Sequence, residues 1–149
     1  MVQKEVEYFS YFAKTEKIFR KICHQAVAEY DFTPNEIVVM MFLHNYPEMD
    51  SASDIAHRLN ISKGLVAKSV ESLSEKGFVI TGKDRADRRL IHLSLTEKSD
   101  QVMKRLKVCR EVFVKELHQG IPREDLDAVG RAAIVMNENL EKIVSEMRS

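Results

Sequence analysis

Between Ser51 and Leu95 the sequence is punctuated so closely that few folds accommodate it. Ser51-Ala52-Ser53-Asp54 reads as a helix start, with a serine able to accept from a backbone N–H and an acid three residues later able to answer it. The helix it opens runs only through Ile55, Ala56 and Leu59 before Asn60, a residue suited to a left-handed helix end. Ser62 is placed to cap a second helix. That helix is predicted to run to about Lys76, burying Val66, Val70 and Leu73, with Gly77 as its stop. Phe78-Val79-Ile80 and Ile91-His92-Leu93-Ser94-Leu95 read as short strands around a charged loop, Gly82 to Arg89. In the second strand Ile91, Leu93 and Leu95 share one face, and His92 and Ser94 the other. Two helices joined by a tight turn and followed by a hairpin make a winged helix-turn-helix. Its second helix suits a DNA major groove, and its wing can reach the neighbouring minor groove.

The rest of the chain reads as helix. Phe9, Phe12, Phe19, Ile22, Ala26 and Tyr30 recur at helical spacing between Val6 and Tyr30. Thr33-Pro34-Asn35-Glu36 is a capping box with proline at the first helical position, opening a helix that is apolar nearly all round through Leu43. Such a helix belongs at the centre of a fold. Thr96 is expected to cap a helix striped by Val102, Leu106, Cys109, Phe113 and Leu117, which Gly120-Ile121-Pro122 breaks. Leu126, Val129, Ala133, Met136, Leu140, Ile143 and Met147 then fall on a heptad, the pattern of a helix-packing seam for which a second subunit is the expected partner.

The chain of 149 residues has 23 basic and 23 acidic residues, so its bulk charge favours no partner. Its charge is nonetheless uneven. From Arg58 to Arg89 there are eight basic residues (Arg58, Lys63, Lys68, Lys76, Lys83, Arg85, Arg88, Arg89) against Glu71, Glu75, Asp84 and Asp87, a local +4. A basic face on a neutral protein is what phosphate binding requires. The longest apolar run, Ile37 to Leu43, is too short for a membrane span, so no membrane partner is expected. The opening residues show no export signal, and two isolated cysteines suit a reducing cytoplasm. The five histidines lack paired ligand spacing, and no metal or other cofactor is expected. The nucleophile-elbow, P-loop, dinucleotide and zinc-protease motifs are all missing, so catalysis is not expected.

Ser53-Asp54-Ile55-Ala56-His57-Arg58-Leu59, Ile61-Ser62-Lys63 and Val70-Glu71-Ser72-Leu73-Ser74-Glu75-Lys76-Gly77-Phe78-Val79, in that order, resemble the core of the MarR (multiple antibiotic resistance regulator) family. Asp84-Arg85-Ala86-Asp87-Arg88-Arg89, running into Leu93-Ser94-Leu95-Thr96-Glu97-Lys98, is similar to that family's wing and the start of its fifth helix. Thr33-Pro34-Asn35-Glu36 matches the opening of its second helix. The resemblance spans roughly the whole chain. It implies a mainly α fold with a small β-hairpin wing, in one domain over residues 1–149. The winged helix-turn-helix lobe would occupy about 33–95, and helices at about 1–30 and 97–149 would form a homodimer. Such proteins bind double-stranded DNA as transcriptional regulators, usually as repressors on an inverted repeat, and often answer to a small-molecule effector.

Carried over by position, the helix face toward DNA comprises Ser62, Lys63, Gly64, Leu65, Ala67, Lys68 and Ser69. Ser62 and the helix N-terminus would hold a phosphate, Gly64 would let the backbone approach, and Leu65 and Ala67 would meet thymine methyls. Leu65 has a second reading, as a core residue, which would shift that face by one position. In the wing, Arg89 aligns with the family's minor-groove arginine and Asp87 with the carboxylate that steadies it. Lys83, Arg85 and Arg88 would contact phosphates more generically. Two other functions compete: a winged helix used for protein contacts, and an oxidant sensor built on Cys23 or Cys109. The methionines read as core and interface filler, with Met40 and Met41 the candidates to line a pocket. The effector's own site cannot be read from the residues.

Overall fold

The computed structural model describes residues 2–149, with side chains from residue 7 onward. The elements are α1 (Val2–Ala26), α2 (Pro34–Asn45), α3 (Ala52–Leu59), α4 (Lys63–Glu75), β1 (Val79–Lys83), β2 (Ile91–Leu95), α5 (Asp100–Leu117) and α6 (Arg123–Arg148). The chain divides into two compact units, residues 1–111 and 112–149.

In the first unit α2 is the central element. Thr33 Oγ1 accepts from the Glu36 N–H, and the Glu36 carboxylate accepts from the Thr33 N–H, so the expected capping box forms. Ile37, Val39, Met40, Phe42 and Leu43 are all buried, which is how a helix apolar on every side satisfies itself. Around them pack Cys23 and Val27 from α1 and the turn after it, Ile55 from α3, Val66 and Leu73 from α4, Leu93 from β2, and Val102 and Leu106 from α5. Glu36 is 2% exposed and meets Lys76 Nζ at 3.0 Å, at the end of α4. Burial alone would push its carboxyl up. Hydrogen bonds from Ser72, Lys76 and the Thr33 backbone, with the lysine charge, outweigh that and hold it below its usual value.

The local punctuation mostly folds as its chemistry dictates. Ser51 and Asp54 close a second capping box, Asn60 is left-handed at φ 53°, and Gly77 ends α4 at φ 82°. Three expectations are corrected. The first helix stops at Ala26, and Tyr30 lies in a separate 3-10 turn, Ala28–Tyr30, stacked on Phe32. Thr96 does not cap a helix with its side chain, because its hydroxyl donates to the Gly77 carbonyl (2.6 Å). A 3-10 turn, Glu97–Ser99, intervenes before α5. Gly82 and Lys83 belong to β1, opposite His92 and Ile91, so the wing loop proper is 84–90. Val6, where the α1 stripe was expected to begin, lies outside the described side chains.

The second unit carries α6, a 26-residue helix with no buried residue. Of its heptad positions Val129 (61% exposed), Leu140 (56%), Ile143 (50%) and Met147 (81%) are open to solvent in the single chain, whereas Leu126 and Met136 are half-buried. Among the described residues no helix is long and apolar enough to cross a membrane.

Candidate nucleic-acid interface

The tight turn between α3 and α4 is locked by its own backbone. Asn60 N–H donates to the Ala56 and His57 carbonyls, and Ile61 N–H to the Ala56 carbonyl at 3.1 Å. Ser62 Oγ then accepts from Leu65 N–H (3.2 Å), capping α4 and leaving its first turn outward. Ser62, Lys63, Gly64, Leu65, Ala67 and Lys68 are all exposed. Leu65 is 45% exposed while Val66 and Leu73 are fully buried, so of its two readings the outward one is the one that forms. Ser69 is the correction. It is 6% exposed and its hydroxyl donates to the Leu65 carbonyl (2.9 Å), so it faces the core. Ser69 lies three residues after Val66 and four before Leu73, the spacing that sets all three on one face of the helix.

Gly64 meets no side chain within its own protein closer than Ser62 Oγ, 4.0 Å from where a Cβ would stand, and its φ is ordinary. Nothing inside the fold requires glycine there. The open space is on the outside.

In the wing, Asp84 organises the loop. Its Oδ2 accepts from Ala86 N–H and Asp87 N–H, both at 2.9 Å, and its backbone N–H donates to the Leu90 carbonyl (2.9 Å). Asp87 continues the relay, its Oδ1 accepting from Arg89 N–H (3.0 Å) and lying 3.6 Å from Arg89 Nε. The Arg89 side chain is 94% exposed, and Lys83, Arg85 and Arg88 also face solvent. Two of the eight basic residues are occupied elsewhere. Lys76 is held by Glu36 and the Asp31 carbonyl, and the Arg58 guanidinium lies 5.3 Å from the centre of the Tyr46 ring.

Sequence reasoning missed the residue that joins the wing to the helix-turn-helix. His92 Nδ1 lies 2.8 Å from Asp50 Oδ1 and its Nε2 2.8 Å from Asp84 Oδ1. Hydrogen bonds to Asp50 and then Asp84 raise the imidazole above its usual value, and the His92 bond is the main cause lowering Asp84. The only sequence signal was the place of His92 on the polar face of β2. Its partners stand 42 and 8 residues away.

Cys23 is 2% exposed, and burial, with the neighbouring Cys109, pushes its thiol up to about 11. A thiol so placed is a poor nucleophile at neutral pH, which argues against the oxidant-sensor alternative at this residue. Among the described residues no group of three or more His, Cys, Asp or Glu could hold a metal. A cavity of about 280 Å³ lies between α1 and α2, walled by Phe19, Cys23, Ile37, Val38, Met41 and Leu59, with Glu16 and Arg20 as its charged part. Met41 lines it, whereas Met40 is core.

Comparison with known proteins agrees with this architecture. A MarR regulator from Methanosarcina mazei Go1 superposes with a TM-score of 0.73 at 20% identity, covering 95% of this chain and 97% of its own. Streptococcus pneumoniae FabT, solved in complex with DNA, gives 0.73 at 20% identity over 96% and 99%. The regulator MarR gives 0.72 at 15% identity over 91% and 98%. Residues 30–90, which hold α2, the helix-turn-helix and most of the wing, match the sequence model of the MarR family. Residues 30–90 thus carry a match to the MarR family, set in a winged-helix fold that the solved MarR-type structures share.

Proposed function

We propose that this protein is a transcriptional regulator that binds double-stranded DNA, acting as a homodimeric repressor released by a small effector. The observation that carries the DNA reading is the pairing of a capped, outward α4 start with a wing whose arginines point into solvent. In this reading Lys63, Gly64, Leu65, Ala67 and Lys68 enter the major groove, with Ser62 and the helix N-terminus on a phosphate. Arg89, aimed by Asp87, enters the minor groove, and Lys83, Arg85 and Arg88 hold phosphates. The DNA complex of the similarly folded FabT supports the same choice of partner.

The exposed heptad residues of α6, Val129, Leu140, Ile143 and Met147, and the exposed aromatics of α1, Phe9 (71%) and Phe12 (45%), are surfaces for a second copy. A two-fold dimer would present two α4 helices to half-sites about one helical turn apart, so the operator is a pseudo-palindrome. The cavity between α1 and α2 is the candidate effector site, its apolar wall suited to an apolar molecule of modest size. Selection of bound duplexes from a random pool tests the reading. A two-fold symmetric motif is expected, with affinity falling steeply with salt and Lys68→Ala lowering that slope by about one. Recovery of no enriched sequence, together with salt-independent retention, would favour the protein-contact alternative.

A further inference from the structure

We infer that His92 is a positioning residue for DNA binding, its protonated ring tethering the wing loop to the segment that opens the helix-turn-helix. The inference rests on the DNA-binding reading above. His92 stands on β2 with a carboxylate at each ring nitrogen, Asp50 just before the α3 cap and Asp84 at the start of the wing loop. These two are the charged groups that face the ring, and its strand partner, Gly82, adds none.

The chemistry makes the tether two-valued. Both partners are carboxylates, which only accept, and only the imidazolium has an N–H at each nitrogen. A neutral ring can donate to one of them and must turn a lone pair on the other at 2.8 Å. Asp50 is fixed independently, because Leu93 N–H donates to its backbone carbonyl (2.9 Å). Asp84 carries the rest of the loop through Ala86 and Asp87, and Asp87 in turn holds Arg89. Deprotonation of His92 therefore loosens the chain of contacts that ends on the proposed minor-groove arginine.

The direction follows from linkage. The folded pKa is raised, so both tethers are present below the ordinary histidine value of 6.5 and one is lost as pH rises through the folded value. DNA affinity should weaken from mildly acidic to mildly alkaline pH, beyond any general trend.

Two measurements on the full chain test this. The first is affinity for a random-sequence duplex at fixed salt, from about pH 6 to about pH 8.5, for wild type, His92→Gln and Asp50→Asn. Wild type should lose about three- to tenfold more affinity across that range than either variant, as expected for one charge-assisted hydrogen bond. The second needs no DNA: amide exchange of residues 84–90, corrected for its intrinsic pH dependence, should lose protection with pH in wild type and stay flat in His92→Gln. Superimposable profiles of wild type and His92→Gln in the exchange experiment overturn the tether, whatever the DNA result. A wing that loosens with pH in a protein that binds no duplex at any pH overturns the DNA reading and the positioning role with it. Loosening in step with weakened binding supports both.

Discussion

Removing the carboxylate of Asp87 sets net charge against geometry at the wing. If charge alone governs, loss of an acid beside phosphates tightens binding. One carboxylate about 10 Å from a phosphate in water-like surroundings is repelled by roughly 0.4 kcal/mol, and physiological salt removes more than half of that. Against this relief stand two losses. The hydrogen bond from Arg89 N–H, at 3.0 Å, is of the kind that contributes about 0.5–1.5 kcal/mol. The 3.6 Å approach to Arg89 Nε, with side chains 94% and 46% exposed, adds at most about 1 kcal/mol. Asp87→Ala should therefore weaken binding by about 1 kcal/mol, near fivefold. Arg89→Ala should cost about 1–3 kcal/mol and reduce any preference for A·T flanks. The double variant should be little worse than Arg89→Ala alone, since the carboxylate acts through the guanidinium. Asp87→Asn keeps an oxygen for the Arg89 N–H and should fall between wild type and Asp87→Ala. Fluorescence anisotropy on one duplex at one salt concentration decides it. Tighter binding by Asp87→Ala, or additive losses in the double variant, would refute the aiming role.

Gly64→Ala should separate stability from affinity. A methyl near the start of α4 meets only open space and should stabilise the helix by up to ~1 kcal/mol in denaturant titration, yet weaken DNA binding. Unchanged affinity would mean that no phosphate backbone approaches there. Leu140→Asp should dissociate the proposed dimer, because an unpaired charge in a covered seam costs several kcal/mol, whereas on a solvent face it is nearly neutral. Sedimentation of an unchanged dimer would show that α6 packs through another face. Glu36→Gln should cost most near neutral pH. The lowered carboxyl contributes stability above its ordinary value of 4.5 and loses it as pH falls, so wild type and variant should converge in acid unfolding. A gap that persists at low pH would show that the loss is steric. Cys23 should resist alkylation in the native protein at pH 7.5, and peroxide should leave DNA affinity unchanged. Rapid native labelling of Cys23 would reinstate the oxidant sensor.

The parts of this protein that a reader can derive from the sequence are those whose partners lie within about one helical turn. Thr33 with Glu36, Ser51 with Asp54, and Ser62 with Leu65 are contacts three residues apart, and all three form as their chemistry dictates. Asn60 and Gly77 likewise occupy the left-handed conformations that their residue types tolerate. These boundaries place α4 and the wing, which is why the elements of the candidate site were mostly legible. What tertiary structure alone decided has partners far along the chain. Lys76 counts as a free basic charge until Glu36, 40 residues earlier, is folded against it. Thr96 looks like a helix cap until the Gly77 carbonyl, 19 residues back, takes its hydroxyl. Ser69 sits next to Lys68 in sequence and bonds only four residues back, yet it is the seating of Val66 and Leu73 in the core that turns it inward and leaves Lys68 outward. His92 acquires its role from Asp50, 42 residues away, because the hairpin lays β2 beside the start of α3. Hydrogen bonds are short-ranged and directional, so a pattern in sequence specifies them only where the backbone itself sets the distance. Across longer separations the core sets it, through burial that recognises apolar area and not the polar pairs it brings together.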